Sequence, residues 1–174
     1  MCIRDRWAWP ELNPGAEVAQ SKAKVHWRAA RKTLTVAAMQ ARALAADVRL
    51  EVDTPESLPA PRDVAALQLV LRNLLDNAVK FSPPNATVHI SLAKKASEAH
   101  IVVRDAGRGL DHDELTHAFE PFFRGDDKAS GGTGLGLHLV QEMIHSHGGS
   151  VTAESAGRDQ GSSFTVRLPL EQTS

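Results

Sequence analysis

Arg72-Asn73-Leu74-Leu75-Asp76-Asn77-Ala78-Val79-Lys80-Phe81 is the stretch whose reading decides the fold. It lies in a longer helical run opened by Pro61, Arg62 and Asp63. Leu67, Val70, Leu71, Leu74, Ala78 and Phe81 recur at i, i+3, i+4 spacing, which makes one apolar face. Asn73, Asn77 and Lys80 fall at i, i+4, i+7. At roughly 100° per residue they line a second face beside the first. A helix that buries one stripe and carries two amides and an ammonium along its border can set them at the edge of a pocket. Hard cations take oxygen ligands there, and an ammonium suits phosphate. The same three side chains also suit a solvated face, and the stretch by itself leaves both readings open.

The chain around it has 174 residues, enough for one domain with a real core and a short appendage. Hydrophobic residues make up 42% and charged residues 24%, the balance of a soluble globular chain. A formal net charge of -1 argues against a strongly electrostatic nucleic-acid binder. The one cysteine, Cys2, forms no internal disulfide framework and no zinc spacing, which suits a reducing compartment. No apolar run reaches the roughly 18 residues of a membrane span, and no signal peptide is visible. The opening Met1-Cys2-Ile3-Arg4-Asp5-Arg6 has no helical or strand logic and reads as a fragment boundary or a sequencing artefact.

Residues 1–23, with Pro10, Pro14 and Gly15, read as a linker or the remnant of a missing region. Lys24–Trp27 suits a short edge strand. Residues 29–46 are Ala-rich, and Leu34, Ala37, Ala38, Ala41, Leu44 and Ala45 are spaced for a helix. Val48–Val52 alternates as a strand, stopped by Thr54–Pro59. The Asn-bearing helix follows and ends at Ser82-Pro83-Pro84-Asn85, because Pro disfavours helix at the residue before it. Thr87–Leu92 and His100–Arg104 read as strands joined by a polar turn near Lys95–Glu98. A short helix is expected over Asp113–Phe119. Residues 125–133, rich in Gly, Asp, Lys and Ser, are expected to be mobile. A helix over Leu135–His147 turns Leu139, Val140, Met143 and Ile144 inward and ends at Gly148-Gly149. The last strands, Ser150–Glu154 and Ser163–Leu168, flank a turn at Gly157–Gly161. Residues 171–174 are a tail, and there is no internal repeat.

Three further runs carry chemistry. Asp105 stands at a strand end, followed by Gly107 and Gly109. A carboxylate there accepts hydrogen bonds and donates none, so it favours an exocyclic amine such as adenine's over the carbonyl of guanine. A buried, charge-assisted bond of that kind is worth on the order of 1.5–3 kcal/mol. The glycines let backbone pass close to a flat ring, although Asp and Gly are also common turn residues. Gly131-Gly132-Thr133-Gly134-Leu135-Gly136-Leu137 precedes a helix, where backbone N–H groups make an anion site. It is neither a P-loop nor the dinucleotide fingerprint, since no Gly-Lys-Ser/Thr follows and no strand precedes. A flexible hinge is the alternative. Phe119-Glu120-Pro121-Phe122-Phe123-Arg124 places aromatics and a base ahead of the polar stretch, as a lid needs. Arg124 and Lys128 would then reach phosphate. Alternatively, the three Phe form a small satellite core.

The four runs occur in one order: Asn73-x-x-x-Asn77-Ala78-x-Lys80-Phe81, Asp105-x-Gly107-x-Gly109, Phe119-x-Pro121-Phe122-Phe123-Arg124 and Gly132-x-Gly134-Leu135-Gly136-Leu137. In this order they resemble the catalytic, ATP-binding domain of a sensor histidine kinase, within the wider group of gyrase, Hsp90 and MutL ATPases. The resemblance covers residues 24–170, and the Phe run and the Gly-Thr-Gly-Leu-Gly-Leu form favour the histidine kinases. It implies an α+β two-layer sandwich of the Bergerat type, a mixed β-sheet covered on one face by three helices. It also implies that ATP lies between the helices and the lid. By resemblance, Asn77 binds Mg²⁺, Asn73 lies near the phosphates and Lys80 contacts them. Phe81 walls the pocket. Asp105 takes the adenine amine, with Gly107 and Gly109 beneath the ring, and Leu110 also belongs to the nucleotide-binding set. Arg124 assists from the lid. Gly132, Gly134 and Gly136 wrap the phosphates, with Leu135 and Leu137 setting the helix and Thr133 counted among the nucleotide-binding residues. Ser162 replaces a Thr often found before the last strand and keeps its hydroxyl.

The resemblance carries a mechanistic expectation. Hydrolytic relatives have a glutamate one turn before the metal-binding Asn, and here that position is Asn73, which is no base. That fits a domain that holds ATP for transfer. The implied acceptor is a histidine on a separate two-helix dimerisation hairpin, with a response regulator receiver domain downstream. No histidine here fits the acceptor pattern. His26 precedes Trp27, and His112, though followed by Asp113, lies after the Asp105 run and reads as a helix start capped by Asp111 or Asp113. His138, His145 and His147 read as helix-surface or packing residues. The chain is therefore expected to be the C-terminal part of a longer kinase, cytoplasmic and without membrane insertion of its own. Two alternatives share the fold: a regulatory module acting through protein contacts, and a serine kinase of the anti-sigma type.

Overall fold

A computed structural model describes residues 35–53, 64–125 and 132–170. The expected Lys24–Trp27 strand, the helix start at Pro61–Asp63, and Lys128 and Gly131 lie outside the described residues. The elements, in chain order, are α1 (Thr35–Ala45), β1 (Arg49–Asp53), α2 (Val64–Phe81), β2 (Thr87–Lys95), β3 (Glu98–Arg104), α3 (His112–His117), α4 (Gly136–Ser146), β4 (Ser150–Glu154) and β5 (Ser163–Pro169).

α2 organises the rest. No Gly or Pro interrupts residues 64–81, and Ser82-Pro83-Pro84 ends them. Ser82 Oγ donates to the Ala78 carbonyl at 2.7 Å and closes the last turn. At 18 residues the helix is about 27 Å long. The buried set is wider than one stripe: Leu75 and Val79 join Leu67, Val70, Leu71, Leu74 and Ala78. The breadth follows from position, since α2 packs on α1, on α4 and on β3 at once.

The five strands form one sheet in the order β1-β2-β3-β5-β4. β1 and β2 run parallel, with Val52 opposite Ile90, and the other neighbours are antiparallel. Parallel neighbours need a crossover, and the segment containing α2 supplies it. Lys95 pairs with Glu98, so the expected polar turn shrinks to Ala96-Ser97, with Ala96 at φ 52°. Val88 and Ile90, Ala99, Ile101 and Val103, and Phe164, Val166 and Leu168 alternate inward and are buried. They meet the helices on one face, giving the two-layer α+β sandwich with a mixed sheet.

Two helix faces differ from expectation. In α1 the spacing selected Ala41 and Leu44, yet Met39 and Ala43 are buried while Leu44 is 78% exposed. Alanine gives little hydrophobic contrast, so an Ala-rich helix leaves its rotation open. In α4, Val140 and Ile144 are buried and Met143 packs against the core, but Leu139 is 47% exposed.

Leu74 is 0% exposed at the centre of this packing. Leu74→Ala is expected to cost about 2–5 kcal/mol, and Leu44→Ala no more than about 0.5 kcal/mol. Urea denaturation followed by circular dichroism measures both. Equal costs would contradict the assigned rotation of the helices.

Candidate functional site

The β3–β5 register builds the first part of the site. Arg104 pairs with Ser163, so the next pair outward is Asp105 with Ser162. Asp105 N–H donates to the Ser162 carbonyl at 2.9 Å. The Asp105 side chain, 6% exposed, accepts from Gly107 N–H at 2.8 Å, Ser162 N–H at 3.2 Å and the Ser162 hydroxyl. Three donors hold one buried carboxylate in a fixed orientation.

Glycines let the neighbouring loops close on it. A Cβ on Gly107 would stand 2.4 Å from the Phe81 carbonyl, so the end of α2 rests directly on this loop. Gly161, at φ 70°, abuts the Asp105 carbonyl, where a Cβ would come to 2.1 Å. Ser155 Oγ accepts from Leu110 N–H at 3.0 Å and donates to the Gly161 carbonyl at 2.7 Å, tying the two loops together.

α2 supplies the second wall. Asn73 Nδ2 donates to the Leu69 carbonyl at 2.8 Å, which turns Oδ1 toward the start of α4. A Cβ on Gly136 would lie 3.2 Å from that oxygen. Asn77 and Lys80 follow along the same face. Lys80 Nζ sits 4.8 Å from the Phe81 ring centroid and close to Gly132. Arg42 of α1 closes this end through Asp76, Nη1 to Oδ1 at 3.1 Å.

The third wall is the start of α4. Its N-cap residue is Leu135, and among the described residues no side chain caps the helix there. Its first N–H groups therefore remain available to a ligand. Gly134 at φ 72° lies against Phe122, whose N–H donates to the Gly134 carbonyl at 3.0 Å. Phe119 stands edge-to-face on Phe164 at 6.4 Å, and His138 Nδ1 donates to the Phe119 carbonyl at 3.2 Å. Of the expected Phe cluster, only Phe119 meets the core. Phe122 is exposed, and Phe123 turns toward His117 and the cavity.

A fourth feature was not visible in the sequence. Glu114 of α3 is 4% exposed and accepts from Arg108 Nη1 at 2.9 Å, with Arg158 Nη1 at 3.4 Å. Asp111 caps α3 in a reciprocal capping box with Glu114. The Glu114 N–H and then Arg158 hold the Asp111 carboxyl below the ordinary 3.8.

These walls enclose one cavity of about 580 Å³, within the range of small-molecule sites. Asn73, Asn77, Lys80, Phe81, Asp105, Gly109, Leu110 and Arg124 line it, as do Gly132, Thr133, Gly134, Gly136 and Leu137. Gly107 and Leu135 stand behind the lining, one under Phe81 and one capping α4. Phe123 of the aromatic run lines it too, and so do Arg42, Asp76, Arg108 and Glu114, which no motif in the sequence points to.

An open mixed sheet with helices on one face, and a cleft between its central helix and a glycine-flanked helix start, define a nucleotide-binding domain. The profile of the "Histidine kinase-, DNA gyrase B-, and HSP90-like ATPase" family matches residues 62–172. The chain belongs to this family, as an ATP-binding domain of the sensor histidine kinase kind. The sensor-like histidine kinase SenX3 of Mycobacterium tuberculosis is 36% identical over 127 residues, which are 71% of this chain and 31% of the relative. The kinase AfsQ2 of Streptomyces coelicolor is 38% identical over 124 residues, 70% of this chain and 23% of the relative. The chain thus spans less than a third of these relatives. Among solved structures, the mycobacterial sensor histidine kinase MprB superposes with a TM-score of 0.69 at 29% identity, covering 79% of this chain and 95% of that one. Full-length ShkA in complex with AMPPNP gives 0.72 at 25% identity, covering 91% and 33%.

Two measurements test this geometry. Gly161→Ala combines a positive φ with an overlap on the Asp105 carbonyl. It is expected to destabilise by about 2–4 kcal/mol, read as a lowered thermal midpoint, and an unchanged midpoint would contradict the packing. His117 is exposed, and its 2.9 Å hydrogen bond to Glu120 raises its pKa above the ordinary 6.5. A raised folded-state value stabilises fully below the unfolded pKa, and that contribution is lost as pH rises through the folded one. NMR titration should place the His117 midpoint above the ordinary value, and Glu120→Gln should return it. A midpoint indifferent to that substitution would contradict the pair.

Proposed function

We propose that this chain grips Mg²⁺–ATP and presents its γ-phosphoryl group to a histidine on a dimerisation hairpin of the parent protein. From there the group passes to a response regulator receiver domain. The observation that carries this reading is the single cavity joining the buried Asp105 carboxylate to Asn73, Asn77, Lys80 and the uncapped start of α4. Asp105 accepts the adenine amine, with Gly109 and Leu110 beside the ring and Phe81 walling it. Lys80 and Arg124 meet the phosphates, and the N–H groups around Gly132, Thr133, Gly134 and Gly136 wrap them. Leu135 and Leu137 set the helix that presents those groups. Asn77 lines the cavity along with the phosphate-side residues; its amide oxygen is of the type that would hold a hard cation, and Mg²⁺ held there would neutralise charge on the phosphates.

Transfer fits the acids of the cleft better than hydrolysis does. Asp76 pairs with Arg42, Asp105 is held by three donors, and Glu114 is clamped by Arg108. Asn73 occupies the place where a base would activate water. Among the described residues each of these carboxylates is engaged, so none of them stands ready to take a proton from a water beside the γ-phosphate. The relatives SenX3 and AfsQ2 are named histidine kinases, which supports a histidine acceptor.

The experiment joins this chain to a histidine-bearing hairpin from one of the matched relatives and supplies γ-labelled ATP. Label is expected on the hairpin in an acid-labile, alkali-stable form, and none on the chain alone. Asp105→Asn is expected to weaken ATP binding at least about 10-fold, the loss of one buried charge-assisted hydrogen bond. Release of inorganic phosphate without transfer, or equal ATP affinity in Asp105→Asn, would contradict the proposal.

A further inference from the structure

Arg108 lines the cleft and has no task in the reading above. It sits between Gly107 and Gly109 on the loop that carries Asp105, and its guanidinium carbon lies 5.1 Å from the Phe81 ring centroid. Lys80 Nζ lies 4.8 Å from the same ring. The ring thus has a cation from the adenine loop and a cation from the phosphate-side helix against it. Arg108 therefore stands where the base end of the cleft gives way to the phosphate end.

The guanidinium is held for that position. Glu114 takes only Nη1, and among the described residues no other N–H of the group donates a hydrogen bond. Nε is shut from solvent without a partner among the described residues. An unmatched buried donor costs stability, and such a cost is characteristic of groups kept for another job. Nη2 keeps its two N–H groups in a residue that lines the cavity. A fixed, always-charged fork with free donors is suited to a phosphate oxygen and poorly suited to a neutral ring.

We propose that Arg108 is a further nucleotide-positioning residue, donating from its guanidinium to the phosphate chain of bound ATP, and that Glu114 positions it. This rests on the ATP reading and extends it: the loop that reads the base also reaches the phosphates. Glu114 acts through Arg108 and does not touch the nucleotide. Because Glu114 also completes the α3 capping box, Glu114→Gln keeps an acceptor for the cap while removing the charge that orients Arg108.

Titration calorimetry of the whole chain with adenosine, ADP and ATP tests this, using wild type, Arg108→Gln, Arg108→Lys and Glu114→Gln. Arg108→Gln is expected to weaken ADP and ATP at least about 10-fold while changing adenosine by less than about twofold. Arg108→Lys keeps the charge without the fork and should fall between wild type and Arg108→Gln. Glu114→Gln should weaken the phosphate-bearing ligands in the same direction, and adding it to Arg108→Gln should cost little more. A purely structural Arg108 would lower all three ligands alike, or none, and either result overturns the proposal. Wild type that binds no ATP would remove the underlying reading itself, which separates that failure from this one.

Discussion

A buried carboxylate accepting three hydrogen bonds is the constraint on which the site depends. Asp105 is placed by the β3–β5 ladder and pinned by Ser162 and Gly107. Burying an ion without partners is expensive, so the loops around it must supply donors, and they can do so only by coming very close. Gly107 and Gly161 are glycine for that reason: one lets the end of α2 rest on the loop, and the other lets the β4–β5 turn fold back over Asp105. Sheet register, helix end and turn are thereby fixed relative to each other before any ligand is considered.

The same arrangement explains why the two ends of the cleft lie on one surface. α2 is buried on three sides, and the side left over carries Asn73, Asn77 and Lys80. Its last residue, Phe81, meets the Asp105 loop through a backbone contact and carries two cations against its ring. The start of α4 approaches from the opposite side, with Gly136 against Asn73. A rigid helix thus spans the distance between the base end and the phosphate end.

Much of this was legible in the residues. α2 has a strong 3.6-residue period and a clear stop at Ser82-Pro83-Pro84, so its existence and most of its inward side can be read directly, but Leu75 and Val79 cannot, because they are buried only by packing on several elements at once. The strands alternate cleanly because one face of the sheet is covered. Other features were not legible, for physical reasons. The spacing leaves the rotation of α1 open because Ala41, Ala43 and Ala45 differ little in what they lose by exposure. Leu139 was placed inward by spacing, although Val140 and Ile144 already fill that side of α4. The Arg108–Glu114 pair looks like two ordinary surface charges six residues apart, and only the fold brings Arg158, 44 positions further on, within 3.4 Å of the same carboxylate. Ser162 and Asp105 are 57 positions apart, and only strand register brings them together.

The central claim is that the Asp105 carboxylate selects the nucleotide by accepting a hydrogen bond from an exocyclic amine. The most direct measurement is competition between ATP and inosine triphosphate for this chain, since the two differ by an amine against a carbonyl at that position of the ring. Inosine triphosphate is expected to bind at least about 10-fold more weakly, because a carbonyl facing the carboxylate loses the hydrogen bond and leaves two acceptors opposed. Equal affinity for the two nucleotides would contradict it.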